Sequence, residues 1–153
     1  MNSFQPLDQV DAARVFVYSH TADDGMPPSS ATIADHFGCT AADALELLKA
    51  VAARKALTLD PATGEIWMAP PFSARRTAFQ VHGDRTSWWA NCSWDMLGIP
   101  ATLGVSARIE AHCGCCHEPM HITVDAQRGP VSGDGLVHFL VPARQWYRDI
   151  GFT

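Results

Sequence analysis

The sequence predicts an α+β protein in two parts: three helices and a hairpin over 1–70, then a small mixed α/β domain over 71–153. Three observations carry this. Sustained helical spacing of apolar residues is confined to the first third, short β-prone runs dominate from residue 56 onward, and Pro70-Pro71 interrupts the chain between the two regimes.

In the first part, Leu7, Val10, Ala13, Phe16 and Val17 recur at helical spacing. Pro27-Pro28 breaks the pattern, a short second helix is expected over 31–37, and Gly38 is placed to end it. Thr40 with Asp43 three positions later is a capping-box-like start. The third helix that it opens sets Ala44, Leu47, Leu48 and Val51 on one stripe. Runs at 56–59 and 65–68 flank Asp60-Pro61-Ala62-Thr63-Gly64, a turn-forming stretch that reads as a hairpin. Three helices and a hairpin is the order of a winged helix-turn-helix, which would place its third helix in a DNA groove. That helix carries Lys49, Arg54 and Lys55 against Asp43 and Glu46, poor electrostatics for a polyanion, so a packing module is the preferred reading.

In the second part a strand is expected over 77–81, a turn at His82-Gly83-Asp84 and a short helix over 92–97. Three more β-prone runs lie at 107–112, 120–124 and 136–141.

Composition narrows the function classes. A chain of 153 residues, 47% hydrophobic and 18% charged, can bury one ordinary core or two small ones and is not disordered. Its apolar runs fall far short of a membrane span, and Met1 to Pro6 lack the basic-then-apolar start of a signal peptide. A cytoplasmic location with no membrane partner is therefore expected. A net charge of −5, with no basic cluster longer than Arg75-Arg76, argues against nucleic acid as a partner. Five cysteines, an odd number, favour reactive or metal-binding thiols over a disulfide framework.

Two groups of residues bear chemistry. Cys92 and Asp95 lie three apart, so on a helix a soft thiolate ligand and a proton-carrying carboxyl would share one face. Trp88, Trp89 and Trp94 could wall that face from water and perturb both groups. The competing reading is a buried structural cysteine with Asp95 bonded to nearby backbone. The second group is Cys113-Gly114-Cys115-Cys116-His117, flanked by His112 and His121. Cys113 and Cys116 form a Cys-x-x-Cys pair, half of a structural zinc site, but no second such pair exists to close a tetrahedron. A soft-metal site, a redox pair or a merely cysteine-rich turn remain open for it. Cys39 and His138, the latter expected on a strand, read as packing residues, and His20 and His36 as surface residues.

With these residues in view, the chain resembles the alkylmercury (organomercurial) lyases. The resemblance is carried by Trp89-Ala90-Asn91-Cys92-Ser93-Trp94-Asp95-Met96-Leu97, Ile99-Pro100-Ala101, Leu103-Gly104, Ala107-Arg108, His112-Cys113, Glu118-Pro119, Thr123-Val124 and Val141-Pro142. It runs from about Thr77 to the end and is weaker in the first part. It implies a winged-helix-like N-terminal domain followed by a small α/β domain of the alkylmercury lyase type, which protonates a carbon–mercury bond to release hydrocarbon and Hg(II). Cys92 then matches the mercury-binding cysteine and proton carrier, and Asp95 the aspartate that relays the proton and holds the metal. Cys113 matches a cysteine regarded as structural. No organic cofactor is implied: Hg(II) is a bound product, and a thiol or a mercuric reductase is its implied acceptor.

Cys115, Cys116 and His117 depart from the family pattern and offer an alternative metal handle. A gap-free reading from Pro142 places the family's second catalytic cysteine at Thr153. The expectation is thus a truncated chain with an exposed sheet edge, or a divergent one in which Cys115 or Cys116 supplies the second thiol. The alternatives are an inactive homologue and a non-enzymatic winged-helix regulator that senses soft metals through Cys92 and the Cys113–Cys116 cluster.

Overall fold

A computed structural model describes residues 8–151. Leu7, the stretch Met1 to Pro6 and Thr153, on which three of the expectations fall, lie outside the described residues.

Each N-terminal helix starts and stops where local chemistry supplies a cap. In α1 (Gln9–Asp24) the Asp8 carboxylate accepts from the Asp11 amide at 2.8 Å, and Gly25 closes the helix in the left-handed conformation. In α2 (Ser30–Phe37) Ser29 caps Thr32 and Gly38 ends the helix at φ 64°. In α3 (Ala41–Ala53) the capping box between Thr40 and Asp43 forms in both directions. The helices bury Ala13, Val17, Ile33, Ala44, Leu48 and Val51 against Leu57, Ile66 and Ala69 of the hairpin formed by β1 (Thr58–Leu59) and β2 (Ile66–Ala69). Glu65 clasps the start of α2 by accepting from the Ser30 amide at 2.9 Å and from its hydroxyl, a favourable place for a carboxylate.

The hairpin is not a free-standing wing. It opens one antiparallel sheet of eight strands, which continues through β3 (Phe72–Ser73), β4 (Phe79–His82), β5 (Ser87–Ala90), β6 (Ala107–His112), β7 (Pro119–Asp125) and β8 (Gly129–Ser132). The spatial order is β1-β2-β3-β5-β4-β6-β7-β8. Ala69 pairs with Phe72 around the Pro70-Pro71 turn, and Phe72 in turn pairs with Ala90. β6 alternates buried Ala107, Ile109 and Ala111 with the more exposed Arg108, Glu110 and His112, the period-two pattern of a sheet with one apolar face. That face carries Phe72, Val81, Trp88 and Ala90 as well, and it is covered by Met96 and Ile99 of α4 (Asp95–Leu103). A 3₁₀ helix (Ala143–Arg148) lies near the C-terminus. No described helix is long and apolar enough to cross a membrane.

Two sequence expectations fail. The helix expected over 92–97 begins only at Asp95, so Cys92 sits in the turn that enters it, its carbonyl accepting from the Met96 amide at 3.1 Å. The run at 136–141 is not a strand, and His138 is therefore on irregular chain. The strand that pairs with β7 is instead β8, reached at once through a short turn (Asp125 opposite Gly129). Gly133 and Gly135, at φ 104° and 150°, then turn the chain out of the ladder, leaving Leu136 97% exposed.

The end of α1 is fastened to the β4–β5 turn. The indole Nε1–H of Trp88 donates to the carbonyls of Thr21 at 3.0 Å and Ala22 at 3.2 Å, and the Thr86 hydroxyl donates to the Asp23 carbonyl at 2.9 Å. Gly25 approaches so closely that a Cβ there would lie 2.4 Å from the Ser87 carbonyl oxygen. Trp88→Phe, which keeps an aromatic ring but deletes the donor, is expected to lower unfolding free energy by about 1–3 kcal/mol. Gly25→Ala should cost at least about 1 kcal/mol from backbone strain alone. Urea melts of the two variants check both values; a shift within error of zero for either would remove that tie from the account.

Candidate functional site

β5 delivers the site. Its neighbours β3 and β4 hold it on both edges, and the Thr77 hydroxyl donates to the Ala90 carbonyl at 2.7 Å, so Asn91 and Cys92 leave the sheet at a fixed point. The chain then turns into α4, which brings Asp95 back toward Cys92. The two side chains are close enough for each to shift the other's titration. Asn91 Nδ2 donates to Asp95 Oδ2 at 3.2 Å, while Asn91 Oδ1 is buried without a partner among the described residues.

Burial dominates the electrostatics of this pair. It pushes the Cys92 thiol above the ordinary thiol value, and the nearby Asp95 charge pushes the same way against backbone amides that oppose it. It also lifts Asp95 above the ordinary carboxylate value, outweighing the hydrogen bonds from Asn91 and Cys92. The resting site therefore favours a protonated thiol beside a carboxyl that is easily protonated in turn. On the α1 side, the Tyr18 phenol is lifted chiefly by burial and feels the charges of Arg14, Tyr147 and Asp95; its hydroxyl donates to the Ala56 carbonyl at 2.8 Å.

The expected tryptophan wall is largely replaced. Trp88 is 4% exposed and committed to α1, and Trp89 faces the other side of the sheet with the Arg76 guanidinium 5.8 Å from its ring. Alternation along the strand makes it impossible for both to face Cys92. Trp94 is exposed and does not line the cavity at Cys92, though it meets rings from the far end of the sequence: Phe139 lies 6.1 Å from Trp94 and 5.4 Å from Trp146 between ring centres. Trp146 is oriented by donating to the Val141 carbonyl at 3.1 Å. A cavity of about 80 Å³ opens here, lined by Cys92, Ser93, His138, Phe139, Leu140, Val141 and Trp146. His138, read from sequence as a packing residue, thus borders the thiol. Sequence reasoning missed Tyr18, Phe139 and Trp146 as parts of the site, because no local spacing links them to Cys92; Asn91 was quoted only within the motif, although its position four residues before Asp95 could have marked it.

Cys115 and Cys116 are not at this cavity. They occupy the exposed turn between β6 and β7 together with Cys113. The Cys113 amide donates to the Glu118 carbonyl and the His117 amide to the Cys113 carbonyl, both at 2.9 Å. The Cys113 sulfur accepts from the Cys115 amide at 3.5 Å, and the Cys116 and Cys115 amides with the Cys116 thiol hold Cys113 below the usual thiol range. β5 and β6 both run antiparallel to β4, so Cys92 and Cys113 emerge from the same end of the sheet, two strand spacings or roughly 10 Å apart. Among the described residues no three His, Cys, Asp or Glu side chains converge as a metal cage.

Because the folded-state pKa of Asp95 is raised, its contribution to stability is full below the unfolded carboxylate value and is lost as pH rises through the folded one. Asp8, Asp43 and Asp60 are shifted the other way, so the effect is read as a difference between proteins. Asp95→Asn is expected to gain in melting temperature over the wild type as pH rises across that window, with the two close together below it. Parallel curves would show that burial of the Asp95 charge carries no penalty.

The alkylmercury lyase (MerB) family profile matches residues 72–151. No curated protein matches the chain. Among solved structures, the mercury-bound form of MerB2 superposes with a TM-score of 0.61 at 19% identity, over 85% of this chain and 61% of that one. The likeness is one of fold, and this chain spans about 61% of the length of that structure.

Proposed function

The chain belongs to the alkylmercury lyase family, and from that membership we propose that it cleaves carbon–mercury bonds by protonolysis, with Cys92 and Asp95 performing the chemistry. The observation that carries the reading is the turn into α4, which sets Cys92 at an aromatic cavity beside a half-buried Asp95 that Asn91 holds in place.

The reaction balances with these two groups. As an organomercury cation meets Cys92, sulfur forms a bond to mercury and the thiol proton moves to the neighbouring Asp95 carboxylate. Asp95 then gives that proton to the carbon. The electron pair of the carbon–mercury bond becomes the new carbon–hydrogen bond, and hydrocarbon leaves. Hg(II) remains between the Cys92 thiolate and the Asp95 carboxylate, two anionic ligands for a doubly charged ion. Sulfur is needed because mercury is soft, and a general acid is needed because a carbanion is a poor leaving group. The Asn91 amide keeps the Asp95 carboxylate aimed, and the Phe139 and Trp146 rings receive the organic group.

The division at Pro70-Pro71, the winged-helix-like nature of the first part and a cytoplasmic setting belong to the same proposal. So does passage of Hg(II) to a thiol or a mercuric reductase. The cysteine-rich turn between β6 and β7 belongs to it as a neighbouring metal handle, with a structural zinc at Cys113 and Cys116 as the competing use of that turn.

Incubation with phenylmercury or methylmercury, following hydrocarbon and Hg(II), tests the reading. Wild type should release hydrocarbon. Cys92→Ser should release none, and Asp95→Ala should bind the organomercurial yet release hydrocarbon about 10²–10⁴-fold more slowly. A wild type that binds Hg(II) but releases nothing would sink the proposal. Phe139→Ala and Trp146→Ala are each expected to raise KM for phenylmercury several-fold and to leave methylmercury nearly unchanged, since a methyl group has little ring surface to stack. Equal effects on both substrates would remove the aromatic rings from the binding site.

A further inference from the structure

The β6–β7 turn holds three cysteines within four residues, none of which the cleavage chemistry requires. The turn is tight: the Cys113 carbonyl accepts from the His117 amide at 2.9 Å and the Cys113 sulfur accepts from the Cys115 amide at 3.5 Å, so the chain from Cys113 to Cys116 is folded back on itself. Cys113 is partly buried at the end of a well-paired strand, while Cys115 and Cys116 are exposed, so one ligand is rigid and its partner open to solvent.

The number of donors selects the ion. Zinc takes four ligands in a structural site, and the described residues bring no three candidate ligands together here. A soft cation satisfied by two thiolates needs only what the turn already offers.

We infer that Cys113 and Cys116 form a second soft-metal site, a two-thiolate clamp for one Hg(II)-class ion, distinct from Cys92 and usable whether or not Cys92 cleaves its substrate. Binding exchanges two thiol protons for two sulfur–mercury bonds and releases both protons to solvent, with no change of oxidation state.

The experiment uses the full reduced chain with Hg(II) chloride alone and an excess of a monothiol competitor. Cys92→Ser is expected to retain one Hg(II) per chain by native mass spectrometry, and alkylation of that complex should mark Cys39 and Cys115 but spare Cys113 and Cys116. Cys92→Ser/Cys116→Ser should lose the retained ion to the competitor. The inference is overturned if Cys92→Ser keeps no Hg(II), if Cys115 is the protected residue, or if removing Cys116 leaves retention unchanged. The footprint is read on Cys92→Ser itself, so it does not depend on the double variant folding. No organomercurial is present, so failure here leaves the lyase proposal untouched, and the reverse holds.

Discussion

The indole N–H of Trp88 is the bond on which the arrangement turns. It joins the last turn of α1 to β5, and with it the helical core to the core beneath α4. A helix C-terminus carries unsatisfied carbonyls and the negative end of the helix dipole, so a buried donor is well used there. The consequence reaches the site by two routes. β5 is held in register so that Cys92 emerges at the sheet's end, and α1 is held so that Tyr18 packs against both cores and faces the Asp95 side. A tryptophan a few residues before the reactive motif thus acts through geometry, and its neighbour Trp89 on the opposite face has no part in the cavity.

The electrostatics of Cys92 and Asp95 arise from crowding two acids into a poorly hydrated space. Burial disfavours both anions, and a second negative charge would be worse than the first. The stable compromise is a single proton kept between the two groups. Under the proposed chemistry that resting state is also the useful one, because the proton destined for carbon is already held beside its carrier. A cationic mercury centre relieves the constraint on arrival: it supplies the positive charge that lets the sulfur ionise, and the released proton has one acceptor in reach.

How much of this was legible in the sequence depends on range. Capping boxes, helix stops and the Thr40 to Asp43 signature act over a few residues, so the N-terminal helices could be read closely. The Cys92–Asp95 pairing was also legible, although the reason differs: a turn leading into a helix brings the two together, not a shared helix face. The rest was set by tertiary packing. Run 136–141 has the composition of a strand, but β8 takes the place beside β7 and the chain turns out of the ladder at Gly133 and Gly135. Phe139 and Trp146 reach Cys92 only because the chain returns across the sheet, and nothing in their local spacing announces it. The three tryptophans near Cys92 misled for a related reason, since strand alternation had already sent two of them to opposite faces.

A final consequence concerns the fate of the metal. After cleavage, Hg(II) would rest on one thiolate and one carboxylate, a mixed pair in which only sulfur suits a soft ion. Two thiolates bind it better, so transfer from Cys92 and Asp95 to a dithiol is downhill in free energy without any further chemistry. The sheet places such a dithiol on the same edge as the cavity, because β5 and β6 run in the same direction with β4 between them. The spacing of roughly 10 Å is too long for one ion to be shared by both sites in place, so passage would require movement of the exposed turn or a carrier thiol. If the proposed roles hold, the fold separates a half-buried site for breaking the carbon–mercury bond from an exposed one for holding what remains.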